Sequence, residues 1–242
     1  MTALGPGPRP GTRSGPGTPA FNAVVLAGGR SSRLGGTPKS LLRYAGKTLL
    51  ATTLEAVSGA TRTAVAGPPD LAGIVAGFGP RCVLVREDPP FTGPAAAVAA
   101  GLAALDAPDA PDPGAGGGRT LPGWTLVLAC DMPRVGGAVQ ALLAEAAAAA
   151  DRGDQAVSLL AVDDGGRAQP LAGLYLSADL AAAVTTFDRP GGLENLSMKR
   201  LLARVQWRAV AVPADSTADV DTWEDAARWC AATGPGDAAT PN

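Results

Sequence analysis

For its first 150 residues the chain alternates between two kinds of segment. Residues 21–27, 61–66, 81–86 and 124–129 are short and mostly apolar, without strict alternation. They read as strands buried on both faces of a sheet. Between them, residues 40–58, 70–78 and 94–105 carry apolar side chains at mostly helical spacing, and 139–150 adds an Ala-rich helix. Strand and helix in alternation predict a mostly parallel sheet with helices on both faces, a doubly wound α/β fold. The rhythm changes after residue 150. Apolar runs at 155–162 and 169–176 flank Asp163-Asp164-Gly165-Gly166, a hairpin-like turn. Short helices at 178–184 and 196–202, a late strand at 206–212 and a closing helix at 222–232 complete the pattern. Residues 1–20 are rich in Gly and Pro and cannot bury apolar surface, so they are expected to be disordered, as are 233–242. That leaves one domain over 21–232, interrupted by a flexible Pro-, Gly- and Asp-rich loop at 108–118.

The length of 242 residues suffices for one large α/β domain with a full core. A net charge of −2 offers no nucleic-acid surface, and 4% aromatic content argues against base-stacking platforms. No apolar run reaches membrane-spanning length, and the N-terminal stretch lacks the apolar core of a secretory signal. Three scattered cysteines, Cys82, Cys130 and Cys230, fit a reducing cytoplasm. The sequence contains no histidine. That removes Ser-His-Asp triads, Cys-His pairs and His metal ligands. Chemistry must run on carboxylates, Lys, Arg, backbone dipoles and any bound metal, an inventory suited to nucleotidyl transfer.

The first strand stops at two glycines, in Leu26-Ala27-Gly28-Gly29-Arg30-Ser31-Ser32-Arg33-Leu34-Gly35-Gly36-Thr37-Pro38-Lys39. A buried strand, a Gly-rich basic loop and a following helix can hold phosphates. Glycine backbones approach an anion closely, the helix N-terminus adds partial positive charge, and Arg33 and Lys39 add full charges. The loop lacks the Gly-Lys-Ser/Thr ending of a P-loop and the glycine spacing of a dinucleotide fingerprint. A second feature is Ala129-Cys130-Asp131-Met132-Pro133, where a buried strand ends in a carboxylate. Such a group needs a partner, and Mg²⁺ bridging to a triphosphate supplies one.

These two motifs resemble those of nucleotidyltransferases, most closely the molybdenum cofactor guanylyltransferases. Glu87-Asp88 followed by Gly93-Pro94-Ala95-Ala96-Ala97 resembles the family's base-and-sugar loop, with Ala97 where a glycine is usual and Ala95 where leucine is usual. Arg167-Ala168-Gln169-Pro170-Leu171 resembles the segment bordering the acceptor, and Asp219-Val220-Asp221-Thr222 the family's closing motif. Pro38 stands where the family usually has an acid.

The resemblance implies transfer of GMP from GTP to molybdopterin cofactor with release of pyrophosphate and with Mg²⁺ as cofactor. It implies Arg33, Lys39 and Asp131 as catalytic residues. Leu26, Ala27, Gly28, Gly29, Arg33, Lys39, Asp88, Gly93 and Asp131 would contact the nucleotide, and Arg167 and Gln169 the acceptor. Asp131 would ligate the metal, joined by Asp219 or Asp221. Transient contact with molybdoenzymes or cofactor-biosynthesis proteins is implied too. Cytidylyltransferases of the same cofactor more often carry Ala-Ala-Gly in place of Ala27-Gly28-Gly29. Sugar-phosphate nucleotidyltransferases and a non-catalytic nucleotide-binding delivery protein are the other readings.

Overall fold

The computed structural model describes residues 17–29, 34–107, 122–187 and 189–231. The expectations for most of the N-terminal tail, residues 30–33, the 108–118 loop and residues 233–242 lie outside the described residues.

A seven-stranded sheet forms the core. Its strands are β1 (Phe21–Leu26), β4 (Thr63–Ala66), β5 (Cys82–Val85), β6 (Trp124–Ala129), β7 (Ser158–Val162), β8 (Ala168–Leu176) and β9 (Trp207–Ala211). They lie in the order β5-β4-β1-β6-β8-β7-β9. β8 runs antiparallel to both β6 and β7, and every other pairing is parallel. The expected doubly wound, mostly parallel α/β fold is therefore the observed one.

Alternation along the strands sorts the core into two layers. Ala23 and Val25 of β1 face one cluster with Leu50, Leu54, Val75 and Leu142, contributed by α1 (Leu49–Ala56), α2 (Ala72–Ala76) and α4 (Gly136–Arg152). Val24 and Leu26 face the other, with Val98, Leu105, Leu180 and Leu201 from α3 (Pro94–Asp106), α5 (Ser177–Thr185) and α6 (Met198–Leu201). The chain moves outward from β1 to β4 and β5, then crosses back through α3 to β6 on the other side of β1. The strand order switches between β1 and β6, where ligands bind in open α/β sheets.

One expectation fails. Residues 40–58 do not form a single helix. Lys39–Leu41 make one 3₁₀ turn, and a small hairpin of β2 (Arg43–Tyr44) and β3 (Lys47–Thr48) follows. The apolar spacing matched a helix, but Ala45 and Gly46 both take positive φ, 50° and 79°. That is the geometry of a two-residue hairpin turn, which no helix can carry. Thr48 then caps α1, its Oγ1 accepting from the Ala51 N–H at 3.2 Å. The helix N-terminus thus sits beyond the hairpin. It does not directly follow the glycine loop, so the expected contribution of its partial charge there is withdrawn.

α7 (Trp223–Ala231) packs on this hairpin. Leu49, Val220, Ala226 and Trp229 form a third, smaller cluster, and the Tyr44 ring meets Trp229 edge to face at 6.0 Å between centroids.

Candidate active site

Lys39 and Asp131 lie 92 residues apart but are joined across the switch point, with Lys39 Nζ 3.0 Å from Asp131 Oδ2. Asp131 gets there because β6 ends at Ala129 and the Cys130 N–H donates to the Leu26 carbonyl (3.0 Å), holding the end of β6 against β1. Lys39 Nζ also donates to Asp221 Oδ1.

Asp221 is placed by its neighbours. The Val220 N–H donates to the Asp131 carbonyl at 2.9 Å, and the Val220 side chain is buried in the α7 cluster. Val220 is buried there, while Asp219 is exposed and Asp221 half-buried, so both carboxylates stay outside that cluster. Asp225 fixes the end of this segment. Its Oδ2 accepts from the Asp221 N–H, the Thr222 N–H and the Thr222 hydroxyl, while Thr222 Oγ1 accepts from the Asp225 N–H. This is a reciprocal cap at the start of α7. Asp131, Asp219 and Asp221 each bring a carboxylate oxygen within 4.8 Å of the others.

The electrostatics follow from this crowding. Burial works to lower the Lys39 ammonium pKa, but the hydrogen bond to Asp221, the charge and hydrogen bond of Asp131 and the charge of Asp221 outweigh it and hold the group protonated above its ordinary range. Asp219 is pushed up, first by desolvation and then by the like charges of Asp221 and Asp131. Burial pushes the Cys130 thiol up, so the cysteine beside Asp131 stays protonated and is no nucleophile. Three carboxylates so close suit a hard divalent cation with oxygen ligands, and the residues present fit such an ion.

Two clefts lie on this side of the sheet, the first reaching the cluster and the second sharing only Gln169 and Leu171 with the first. One, of about 460 Å³, is lined by Asp131, Met132, Asp163, Arg167, Gln169 and Asp219 among others. The second, of about 470 Å³, is lined by Gly93, Pro94, Gln169, Pro170, Asn195 and Met198 among others. Gln169 borders both, so it lies between the acidic cluster and the start of α3. The antiparallel pairing of β8 with β6 puts the N-terminal end of β8, where Gln169 sits, at the rim where β6 ends. Asp163 orients it. Its Oδ2 accepts from Gln169 Nε2 at 2.8 Å and its Oδ1 from the Gly165 and Arg167 N–H groups. These bonds, that of the Arg167 N–H foremost, hold the Asp163 carboxyl below its usual range. Sequence reasoning read Asp163 only as a turn residue; its i, i+2 and i+4 bonds are those of an Asx turn, which was the available signal.

The remaining expected residues separate. Leu26 and Ala27 are buried, and the Ala27 N–H donates to the Ala66 carbonyl. Gly28 and Gly29 are exposed, and Gly29 holds φ at 147°, which a side chain would rarely adopt. Gly93, at φ 99°, caps α3, and a Cβ there would lie 3.5 Å from the Asn195 Cα. Asp88 is exposed beyond edge strand β5, with β4 and β1 between it and β6. Ala97 is buried within the α3 layer. Arg33 lies outside the described residues. Among the described residues, no helix is long and apolar enough to cross a membrane.

Solved structures share this fold. A molybdopterin-guanine dinucleotide biosynthesis protein A from Archaeoglobus fulgidus superposes with a TM-score of 0.60 at 19% identity, covering 87% of this chain and 99% of that one. A Mycobacterium sp. strain JC1 homologue of the M. tuberculosis protein Rv0371c gives 0.57 at 23% identity, covering 88% and 96%. The 2-C-methyl-D-erythritol 4-phosphate cytidylyltransferase of Thermus thermophilus gives 0.56 at 22% identity, covering 87% and 98%. No curated protein matches the chain in sequence. Residues 23–210, from the first strand of the sheet to its last, match the MobA-like NTP transferase domain, and the chain belongs to that nucleotidyltransferase family.

Proposed function

We propose that this protein transfers GMP from GTP to the phosphate of molybdopterin cofactor and releases pyrophosphate, with Mg²⁺ as cofactor. The observation that carries the reading is the meeting of Lys39, Asp131 and Asp221 at the switch point of this family's sheet. The Archaeoglobus neighbour, named for molybdopterin-guanine dinucleotide biosynthesis, supports the choice of nucleotide and acceptor.

In this reading the exposed Gly28-Gly29 backbone cradles the triphosphate, with Arg33 and Lys39 facing its charge. Asp131 would hold the metal together with Asp221 and Asp219. When bound, the metal supplies Lewis-acid polarisation of phosphate oxygens. An oxygen of the acceptor phosphate attacks the α-phosphorus in line, the new P–O bond forms, and the bond to the β-phosphate breaks. No general base is required, because the attacking phosphate is already ionised. Lys39 offsets negative charge on the non-bridging oxygens as it grows, which is where such donors act most strongly. The start of α3, at Gly93 and Pro94, faces the base, and Arg167 and Gln169 face the acceptor across the shared cleft. Asp88 would reach the sugar from the edge of the sheet. Gln169, with its amide oriented by Asp163, both donates and accepts, which suits a polar heterocycle.

The test is titration of GTP, CTP, ATP and UTP with Mg²⁺ by calorimetry, followed by pyrophosphate release with molybdopterin cofactor. GTP is expected to bind most tightly, since a site built on the guanine edge leaves groups unpaired with other bases. A preference for CTP would move the protein to the cytidylyltransferase branch, to which the Thermus neighbour belongs by name. Tight GTP binding with no turnover on the cofactor would favour a delivery role.

A further inference from the structure

Lys39 occupies the place that a metal ion needs. Its ammonium is hydrogen-bonded to Asp131 Oδ2 at 3.0 Å and to Asp221 Oδ1, two of the three carboxylates that converge within 4.8 Å. A Mg²⁺-sized ion binds oxygen at about 2.0–2.1 Å, so one bridging Asp131 and Asp221 would lie in the space now filled by Nζ. Two cations cannot share that space. Resting on the metal reading above, we infer that Lys39 is a resident counter-ion of the carboxylate cluster and that a divalent cation displaces it.

The chain around Lys39 allows the move. The residue opens a single 3₁₀ turn, not an α-helix, and its stem is a flexible four-carbon chain. In the resting protein the ammonium is paired directly with two of the three crowded carboxylates. Once displaced, it needs another anionic partner, and the phosphates of an incoming nucleotide provide one on the glycine-loop side. Metal and nucleotide are therefore coupled through a single side chain. Metal alone must pull the ammonium from its carboxylates with no phosphate to receive it, whereas metal with nucleotide hands it from carboxylate to phosphate. Reciprocity requires each ligand to tighten the other.

Direct Mn²⁺ binding, read by electron paramagnetic resonance without nucleotide, tests this. Lys39→Met should bind Mn²⁺ roughly tenfold or more tightly than wild type, because a positive charge in contact with the ion is gone. The gain in Mn²⁺ affinity on adding GTP should shrink in the variant. Equal or weaker Mn²⁺ binding by Lys39→Met overturns the inference. A wild-type experiment stands beside it in case the variant misfolds. The chain has three lysines, Lys39, Lys47 and Lys199, so reductive methylation resolves each by peptide mass. Saturating Mg²⁺ without nucleotide should speed labelling of Lys39 and leave Lys47 and Lys199 unchanged. No change at Lys39 refutes displacement. Should wild type bind Mn²⁺ with GTP while neither test responds, only the displacement falls. Should it bind no Mn²⁺ under any condition, the metal reading falls with it.

Discussion

Truncating Trp229 tests whether the far side of α7 assembles the site. Trp229 is 7% exposed and fills a cluster with Leu49, Val220 and Ala226, its ring against Tyr44 at 6.0 Å. Aromatic-to-alanine changes in packed clusters cost about 3–5 kcal/mol, of which the edge-to-face pair accounts for roughly 0.5–1.5. For a domain of this size that corresponds to a fall in Tm of roughly 6–20 °C. α7 is a nine-residue helix docked through this one small cluster, so the loss is bounded by its own docking energy and the lower part of that range is expected. The consequence reaches Asp221. Val220 shares the cluster and donates to the Asp131 carbonyl, so undocking α7 releases the segment that carries Asp219 and Asp221. Trp229→Ala should therefore lower both Tm in calorimetry and Mn²⁺ affinity in titration, while Trp229→Phe, which keeps a ring against Tyr44, recovers most of both. A loss of stability below about 1 kcal/mol would show that α7 is not held through this cluster. A full loss of stability with unchanged Mn²⁺ affinity would show that its docking does not position Asp221.

Two further outcomes follow from close contacts. Asp219 is raised by desolvation and by the like charges of Asp221 and Asp131, so its ionised form opposes folding above its elevated pKa. Asp219→Asn should raise Tm of the metal-free protein at neutral pH and weaken Mn²⁺ binding; a lowered Tm in differential scanning would contradict the electrostatic argument. Gly101 lies where α3 crosses β1, and a Cβ there would stand 2.5 Å from Val24 Cγ1. Gly101→Ala should cost about 1–2 kcal/mol in urea unfolding, overpacking exceeding the gain in helix propensity. Val24→Ala should recover part of that cost, and a stabilised Gly101→Ala single variant would refute the clash.

The sheet was legible because burial on both faces writes itself into local composition. The continuous apolar runs near 21–27, 61–66, 81–86 and 124–129 each became a strand, and Asp163 to Gly166 became the turn that reverses β8. Asp131 was legible as a candidate for a related reason, since a carboxylate at the end of a buried strand needs a partner. The hairpin at Arg43–Thr48 was not, because the leucines flanking it, Leu41, Leu42, Leu49 and Leu50, fit helical spacing and two positive φ angles at Ala45 and Gly46 decide the matter. Nor could sequence tell that Asp219 and Asp221 both join Asp131. That depends on Val220 being buried in a cluster whose Leu49 comes from far away along the chain. The ion pair between Lys39 and Asp131 likewise exists only once β6 has crossed to the side of β1 opposite β4. Local patterning sets which residues must be buried or turned. Long-range packing sets which charges meet, because Coulomb and hydrogen-bond energies depend on separations that no neighbouring residues along the chain encode.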